Sequence, residues 1–166
     1  MAELHIGLIG AGKMGASLAA GVQAAGNATI CAVADPAEGA AAALAEKLGD
    51  ASISAHTDVA EMLARKEIEA VIVAVPNFLH AQVVRDACAA GKHVFCEKPM
   101  AMSIAEGKAM AKAAEKTGVI NMICYNYRRA PAIALAKKMI EDGAIGDVYH
   151  FRAVYLQDWI VDPKMP

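Results

Sequence analysis

The feature that most constrains this chain is a glycine-rich turn, Gly10–Gly15, placed between an apolar run and a helical pattern. Leu4–Ile9 precedes the turn and Ser17–Ala25 follows it. Between a strand and a helix, the first glycine of G-x-G-x-x-G permits a tight turn and the second lets a pyrophosphate approach the backbone. The third lets the helix pack closely on the strand. The helix N-terminus then offers free N–H groups and a positive dipole to an anion. The sequence therefore predicts a dinucleotide site at this turn.

Strand and helix patterns alternate along most of the chain. The predicted strands are Leu4–Ile9, Thr29–Ala34, a short one near Ile53, Ala70–Val75, His93–Cys96 and Val119–Tyr125. The predicted helices are Met14–Ala25, Ala37–Leu48, Val59–Arg65, Leu79–Ala90, Ile104–Lys116 and Ala132–Glu141. The strands are near-continuous apolar runs, which is typical of strands buried on two faces. We therefore predict an α/β fold, a doubly wound parallel Rossmann sheet with helices on both faces.

Several helices carry recognisable end signals. Ser103 and Glu106 have the spacing of a capping box before the fifth helix. Gly49, Gly91 and Gly118 lie where C-terminal glycines belong.

The chain changes character near Tyr125. The sequence has eight aromatic residues, counting one Trp, four Tyr and three Phe, and six of them lie at or beyond that position. A turn at Gly143–Asp147 leads into Val148–Asp158, whose alternate residues form one apolar face. We predict a dinucleotide-binding domain over residues 1–125. Residues 126–166 would be a connecting helix and the truncated start of a substrate domain, with Val148–Asp158 as its orphan first strand.

Composition excludes several classes of function. A net charge of −2 with both signs interspersed leaves no basic surface for nucleic acid or an anionic membrane. The apolar runs are too short to span a bilayer, and no basic leader precedes the first strand. The four cysteines lack metal-ligand spacing, so we predict no metal site and free thiols in a reducing compartment. These observations together predict a cytoplasmic protein.

An acidic residue, Asp35, ends the second predicted strand, 20 residues after the last glycine of the turn. An acid there accepts hydrogen bonds from ribose hydroxyls and repels a 2′-phosphate, which favours NAD over NADP. The alternative is a helix N-cap, with Pro36 in the first helical position. The two roles are compatible.

Two further loops follow strands on the carboxyl edge where open α/β sheets bind ligands. Val75–His80 is either a binding loop or a proline turn with an asparagine cap and a solvated histidine, and spacing alone favours the second. Glu97-Lys98-Pro99 ends the next strand. Lys98 could donate to a substrate hydroxyl and shuttle its proton, or it could be a solvated lysine paired with Glu97. The residues leave that choice open.

Tyr125–Arg129 follows the last strand of the sheet. An arginine pair more often forms an exposed basic turn before a helix, which is one interpretation. The position of Asn126 at the same edge also makes it a candidate contact to the nicotinamide carboxamide.

Together these loops resemble the glucose–fructose oxidoreductase and inositol dehydrogenase family. The resemblance extends over essentially all 166 residues, and the Glu-Lys-Pro triplet is its most specific element. The motifs that carry it are Gly10–Gly15, Ala34–Pro36, Pro76–His80, Glu97–Pro99, Asn126–Arg129 and Ile145–Val148. Tyr155–Trp159 further resembles the levoglucosan dehydrogenase subgroup.

The resemblance implies a chemistry and a set of site residues. Members of the family oxidise a sugar or polyol hydroxyl by hydride transfer to nicotinamide, and Lys98 would lie beside the reacting hydroxyl as the catalytic residue. The implied cofactor-binding residues are Gly10, Ala11, Gly12, Lys13, Met14, Gly15, Asp35, Pro76, Asn77, His80, Glu97 and Asn126.

The family's other catalytic pair, an Asp and a His four residues later, would begin after Pro166. We therefore expect a chain that binds NAD but oxidises sugar poorly, with the sugar bound only if the missing domain is supplied. Because an unpaired strand edge recruits a partner strand, we also expect a homodimer through the C-terminal strand. The alternatives are a nucleotide-sensing regulatory domain and an interaction protein that pairs through its final strand.

Overall fold

The computed structural model describes residues 4–158. The chain divides into two compact units, one ending at Tyr125 and one beginning at Asn126. Within residues 4–158, no helix is long and apolar enough to cross a membrane.

The first unit is a six-stranded sheet of strand order β3-β2-β1-β4-β5-β6, in which every neighbouring pair is parallel. The strands are β1 Leu4–Ile9, β2 Ala28–Ala34, β3 Ser54–His56, β4 Ala70–Val73, β5 His93–Cys96 and β6 Asn121–Ile123. Its helices are α1 Lys13–Ala25, α2 Ala40–Leu48, α3 Val59–Leu63, α4 His80–Ala89 and α5 Ile104–Thr117. A short 3-10 turn, Asn77–Leu79, precedes α4. The predicted doubly wound Rossmann fold is confirmed.

Both faces of this sheet are buried. Ile72 belongs to one apolar cluster, whereas its neighbours Val71 and Val73 belong to another, because successive strand side chains point to opposite faces. The helices contribute Ala19 and Leu44 to the Ile72 cluster, and Met62, Val84 and Met110 to the other. Helices therefore cover both faces, which explains why the strands read as continuous apolar runs.

The register of the sheet brings five chain segments to one edge. Ile9 is paired with Ala34 on one side and with Val73 on the other, and Val73 is paired with Cys96. Cys96 is in turn paired with Ile123. The residues that follow these strand ends therefore emerge side by side. The strand order reverses between β1 and β4, which is where open α/β sheets form a ligand crevice.

The ends of α5 agree with the sequence. The Ser103 hydroxyl accepts a hydrogen bond from the Glu106 amide at 3.2 Å. The Glu106 carboxylate accepts from the Met102 amide at 2.9 Å, one residue before the partner that a capping box uses. Gly118 closes the helix with a φ of +69°.

The start of α2 differs from the prediction. The helix begins at Ala40 rather than Ala37, and its N-cap is Gly39, with a φ of +75° and no side-chain cap. Asp35 is therefore not the N-cap, because one of its carboxylate oxygens holds the Ala37 amide in a separate turn. The predicted place of Pro36 in the first helical turn is wrong for the same reason.

The second unit contains one regular helix, α6 Pro131–Glu141, with Pro131 in its first turn. A 3-10 turn, Asn126–Arg129, precedes it. The predicted strand Val148–Asp158 is wrong, since residues 148–158 have no regular secondary structure. A strand needs a neighbour to supply its ladder hydrogen bonds, and the described part of this unit contains no second strand.

Candidate functional site

Hydrogen bonds continue the ladders past the strand ends and fix where each loop begins. In each case the first amide after a strand donates to the last carbonyl of the neighbouring strand. These bonds are Gly10 to Ala34, Asp35 to His56, Ala74 to Ile9, Glu97 to Val73 and Cys124 to Cys96, at 2.8–3.0 Å. The candidate residues of five loops therefore start from a rigid backbone edge.

The glycine turn is dictated by packing at two of its three glycines. Gly10 has a φ of +102°, and a Cβ there would lie 2.5 Å from the carbonyl oxygen of Ala74. A Cβ at Gly15 would overlap the carbonyl oxygen of Gly10. These contacts match the predicted roles, a tight turn for the first glycine and close helix packing for the third.

Gly12 is different, because no protein atom lies within 4 Å of the position its Cβ would take. It is the N-cap of α1, and no side chain caps that helix. Gly12 and Lys13 also line a groove of about 770 Å³ between α1 and α2. Space beside the backbone, amides without a side-chain acceptor and the positive end of a helix dipole suit a diphosphate. The turn therefore fits the group that its sequence predicts.

Asp35 joins the glycine turn to the loop after β2. Its Oδ2 accepts a hydrogen bond from the Ala11 amide at 2.8 Å, and its Oδ1 accepts from the Ala37 amide at 2.9 Å. A carboxylate has about four lone-pair sites, so both oxygens retain capacity for ribose hydroxyls. The residue is half-buried, and it both shapes the turn and remains available to a ligand.

The loop after β4 is exposed at Pro76 and Asn77. Leu79 is the N-cap of α4 and no side chain caps the helix, so the predicted asparagine cap is wrong. The backbone explains this result, because the 3-10 turn places the Leu79 amide on the Pro76 carbonyl at 2.9 Å. Within residues 4–158 the Asn77 side chain makes no hydrogen bond.

His80 is fully buried, so the expected solvated histidine is wrong. Its Nδ1 lies 2.8 Å from the Pro99 carbonyl oxygen, and its Nε2 lies 3.0 Å from that of Val75. The side chain has no accessible atom with which to contact a cofactor directly. His80 begins the inward stripe of α4, which continues with Val84, Ala87 and Cys88. That i, i+4, i+7, i+8 spacing is the sequence signal for its burial.

Glu97 and Lys98 point to different surroundings. Glu97 is buried, and its Oε2 accepts a hydrogen bond from the Lys98 amide at 3.0 Å. Lys98 is exposed at the sheet edge, and within residues 4–158 no ion pair involves its ammonium group. The alternative of a lysine paired with Glu97 through its side chain is therefore not what the structure shows.

The thiols of Cys96 and Cys124 both interact with Glu97, and neither cysteine was predicted to belong to the site. Burial raises the pKa of the Cys124 thiol, and a hydrogen bond with the Glu97 carboxylate raises it further. Burial, followed by the charges of Glu97 and Cys124, raises the pKa of Cys96 to about 12. The strand register, which pairs β5 with β6, is the signal that could have placed Cys124 beside Glu97.

Lys13, Met14 and Asn126 are exposed. Asn126 opens the second unit, so its relation to the sheet edge stays a prediction. Across the described residues, no group of three or more His, Cys, Asp or Glu could hold a metal ion.

Comparison with known proteins decides the family. The model of the oxidoreductase family with an NAD-binding Rossmann fold matches residues 4–125. The chain belongs to this oxidoreductase family. The family assignment made from the loops is thereby confirmed, and the matched range contains the glycine turn, Asp35 and the Glu-Lys-Pro triplet.

Relatives within the oxidoreductase family include several sugar and polyol enzymes. Levoglucosan dehydrogenase of Pseudarthrobacter phenanthrenivorans is 51% identical over 100 residues, which are 60% of this chain and 26% of that protein. The scyllo-inositol 2-dehydrogenase (NAD(+)) of Bacillus subtilis is 32% identical over 151 residues, 90% of this chain and 44% of that protein.

Solved structures agree. A levoglucosan dehydrogenase in complex with NADH and levoglucosan has a TM-score of 0.87 and 39% identity, covering 99% of this chain and 46% of that chain. An oxidoreductase domain protein from Kribbella flavida has a TM-score of 0.90 and 42% identity, covering 100% and 46%. The chain therefore spans less than half the length of these relatives.

Proposed function

We propose that this chain binds NAD and forms the cofactor half of a sugar or polyol dehydrogenase. The observation that carries the proposal is the contrast within the glycine turn. Protein packing demands glycine at positions 10 and 15, whereas position 12 opens onto free space beside the N-terminus of α1. The similarity to dehydrogenases named for levoglucosan and scyllo-inositol supports the substrate class.

The proposed roles follow from where each group lies. The first-turn amides of α1 would hold the diphosphate, and Asp35 would accept the ribose hydroxyls while repelling a 2′-phosphate. The remaining proposed cofactor contacts are Ala11, Lys13, Met14, Pro76, Asn77, Glu97 and Asn126. When bound, a nicotinamide dinucleotide supplies the hydride acceptor. Lys98 would hold the substrate hydroxyl and move its proton, and the exposure of its side chain at the sheet edge supports this role.

We propose that these 166 residues alone turn over sugar slowly. The relatives are about twice as long, and substrate positioning depends on contacts that a cofactor unit alone does not supply. Loss of a general base removes ~10²–10⁴ in rate. Loss of positioning forfeits up to roughly 7–11 kcal/mol more. Sugar oxidation is therefore proposed for the complete enzyme, and cofactor binding for this chain.

Titration with NADH tests the proposal. Bound NADH should enhance or shift its own fluorescence, with saturation below millimolar concentration and weaker binding of NADPH. Gly12→Val supplies the matched variant, since its Cβ has no atom within 4 Å outside its two chain neighbours, and it should abolish binding without unfolding the chain. Binding that fails to saturate at millimolar NADH in the folded protein would refute the proposal.

We also propose that residues 148–158 mediate self-association. Tyr149, Phe151 and Leu156 are 92%, 84% and 88% exposed, a density of exposed apolar side chains that favours burial against a second copy. Light scattering tests this, with Phe151→Asp as the variant expected to be monomeric.

The four free cysteines are the basis for proposing a reducing, cytoplasmic location.

A further inference from the structure

His80 connects two loops that leave the same edge of the sheet. Its ring lies between the Pro99 carbonyl, at 2.8 Å from Nδ1, and the Val75 carbonyl, at 3.0 Å from Nε2. Val75 belongs to the loop after β4, and Pro99 directly follows Lys98 in the loop after β5. One buried side chain therefore holds both loops at once.

An apolar residue would suit the inward face of α4 better if packing were the only demand. The rest of that stripe is Val84, Ala87 and Cys88, and all three are at most 4% exposed. Burying an imidazole costs free energy unless its polar atoms are hydrogen-bonded, and here both nitrogens have partners. The histidine therefore contributes a linkage that a leucine of similar volume does not.

We propose that His80 is a positioning residue, which fixes the backbone of the Lys98 loop against the loop after β4 through the contacts of its two ring nitrogens with the Pro99 and Val75 carbonyls. The inference rests on the proposed function, because it is Lys98 whose placement gives the linkage its value. A misplacement of about 1 Å at a reacting group costs on the order of 10²-fold in rate. His80 thus acts on the chemistry through Lys98, without touching the cofactor.

NMR of the full chain without cofactor tests this inference. In His80→Leu and His80→Gln, the backbone amides of Lys98 and Met100 should shift, because neither side chain can replace both ring contacts. Val84→Ala is the matched control, since it removes packing from the same helix face and leaves both hydrogen bonds in place. It should lower the melting temperature with little change at Lys98.

Each outcome decides the inference. Lys98 and Met100 amides that are unmoved in both His80 variants overturn it. If His80→Leu fails to fold, His80→Gln still gives the answer. NADH titration of the wild type is a separate measurement, so failure to bind cofactor would refute the proposed function and leave the loop linkage standing.

Discussion

Asp35 accepts a hydrogen bond from the backbone amide of Ala11 across 24 positions of sequence, at 2.8 Å. This contact joins the loop after β2 to the glycine turn after β1, so a residue expected to meet the ribose also shapes the diphosphate site. Loss of its carboxylate therefore has two consequences, one for the turn and one for the choice of cofactor.

Asp35→Ala should weaken NADH binding by more than Asp35→Asn. Hydrogen bonds to a charged group contribute about 1.5–3 kcal/mol, and alanine removes all of them while asparagine keeps one acceptor oxygen. Asparagine also removes the repulsion of a 2′-phosphate, so the preference for NADH over NADPH should narrow. Parallel titrations with the two cofactors measure this. Glu38→Ala, an exposed acid three residues on, serves as the control and should change neither affinity. An unchanged cofactor preference in Asp35→Asn would contradict the assigned role.

Alanine substitutions should separate the packing glycines from the ligand glycine. Gly15→Ala places a methyl group against the Gly10 carbonyl oxygen, and overpacking of this kind costs about 1–3 kcal/mol. Gly12→Ala meets no protein atom, so stability should hold while NADH affinity falls. Denaturant unfolding and NADH titration give the two readouts.

The control for this pair lies on the same helix. Gly21 is exposed within α1 with open space around its Cβ position. Gly21→Ala should raise stability by up to about 1 kcal/mol through helix propensity alone. Equal destabilisation by Gly12→Ala and Gly15→Ala would contradict the distinction between a packing glycine and a ligand glycine.

Cys96 should make stability fall at alkaline pH. Burial raises its pKa from 9.0 to about 12, so above pH 9 the thiol ionises in the unfolded chain while the folded chain keeps its proton. The free energy of unfolding is therefore unaffected below pH 9 and decreases from pH 9 towards 12, by up to about 1.4 kcal/mol per pH unit. Guanidinium unfolding of wild type and Cys96→Ala between pH 7 and about 11 measures the slope. The variant should be less stable at pH 7 but flatter above pH 9, and parallel curves would disprove the assignment.

Lys98→Met should leave NADH affinity nearly intact and remove whatever sugar oxidation the chain supports. Methionine keeps the length and apolar stem of the side chain but has no proton to donate. The measurement pairs NADH titration with NAD reduction in the presence of levoglucosan or an inositol. Lys108→Met, on α5, is the matched control. Residual turnover that survives in Lys98→Met would assign the proton transfer to another group.

Most of the sheet was readable from the sequence because burial on both faces turns each strand into an apolar run. The predicted limits of β1 and β5 match the observed ones to the residue. The spacing of the glycines alone indicated the packing roles within the turn. Local helix signals were less reliable. Asp35 and Pro36 form a good cap and first turn by composition, yet the bond to Ala11, distant in sequence, sets the position of Asp35.

The site residues that sequence reasoning misplaced depend on contacts between loops. His80 lies on the buried stripe of α4, and its ring also contacts the carbonyl of Pro99, 19 residues away, which the local sequence does not reveal. Val148–Asp158 failed as a strand for the converse reason. Its alternation describes which face would be apolar, but a strand exists only where a neighbour completes its hydrogen bonds.

The place of β1 in the middle of the sheet has a consequence for biosynthesis. β1 is flanked by β2 and by β4, so both of its edges are satisfied only after Val73 has been translated. Until then one edge of β1 and its apolar side chains stay exposed in the nascent chain. Exposed apolar surface of this kind is what chaperones bind. Synthesis of the β4 segment is thus the earliest moment at which the amino-terminal half can close.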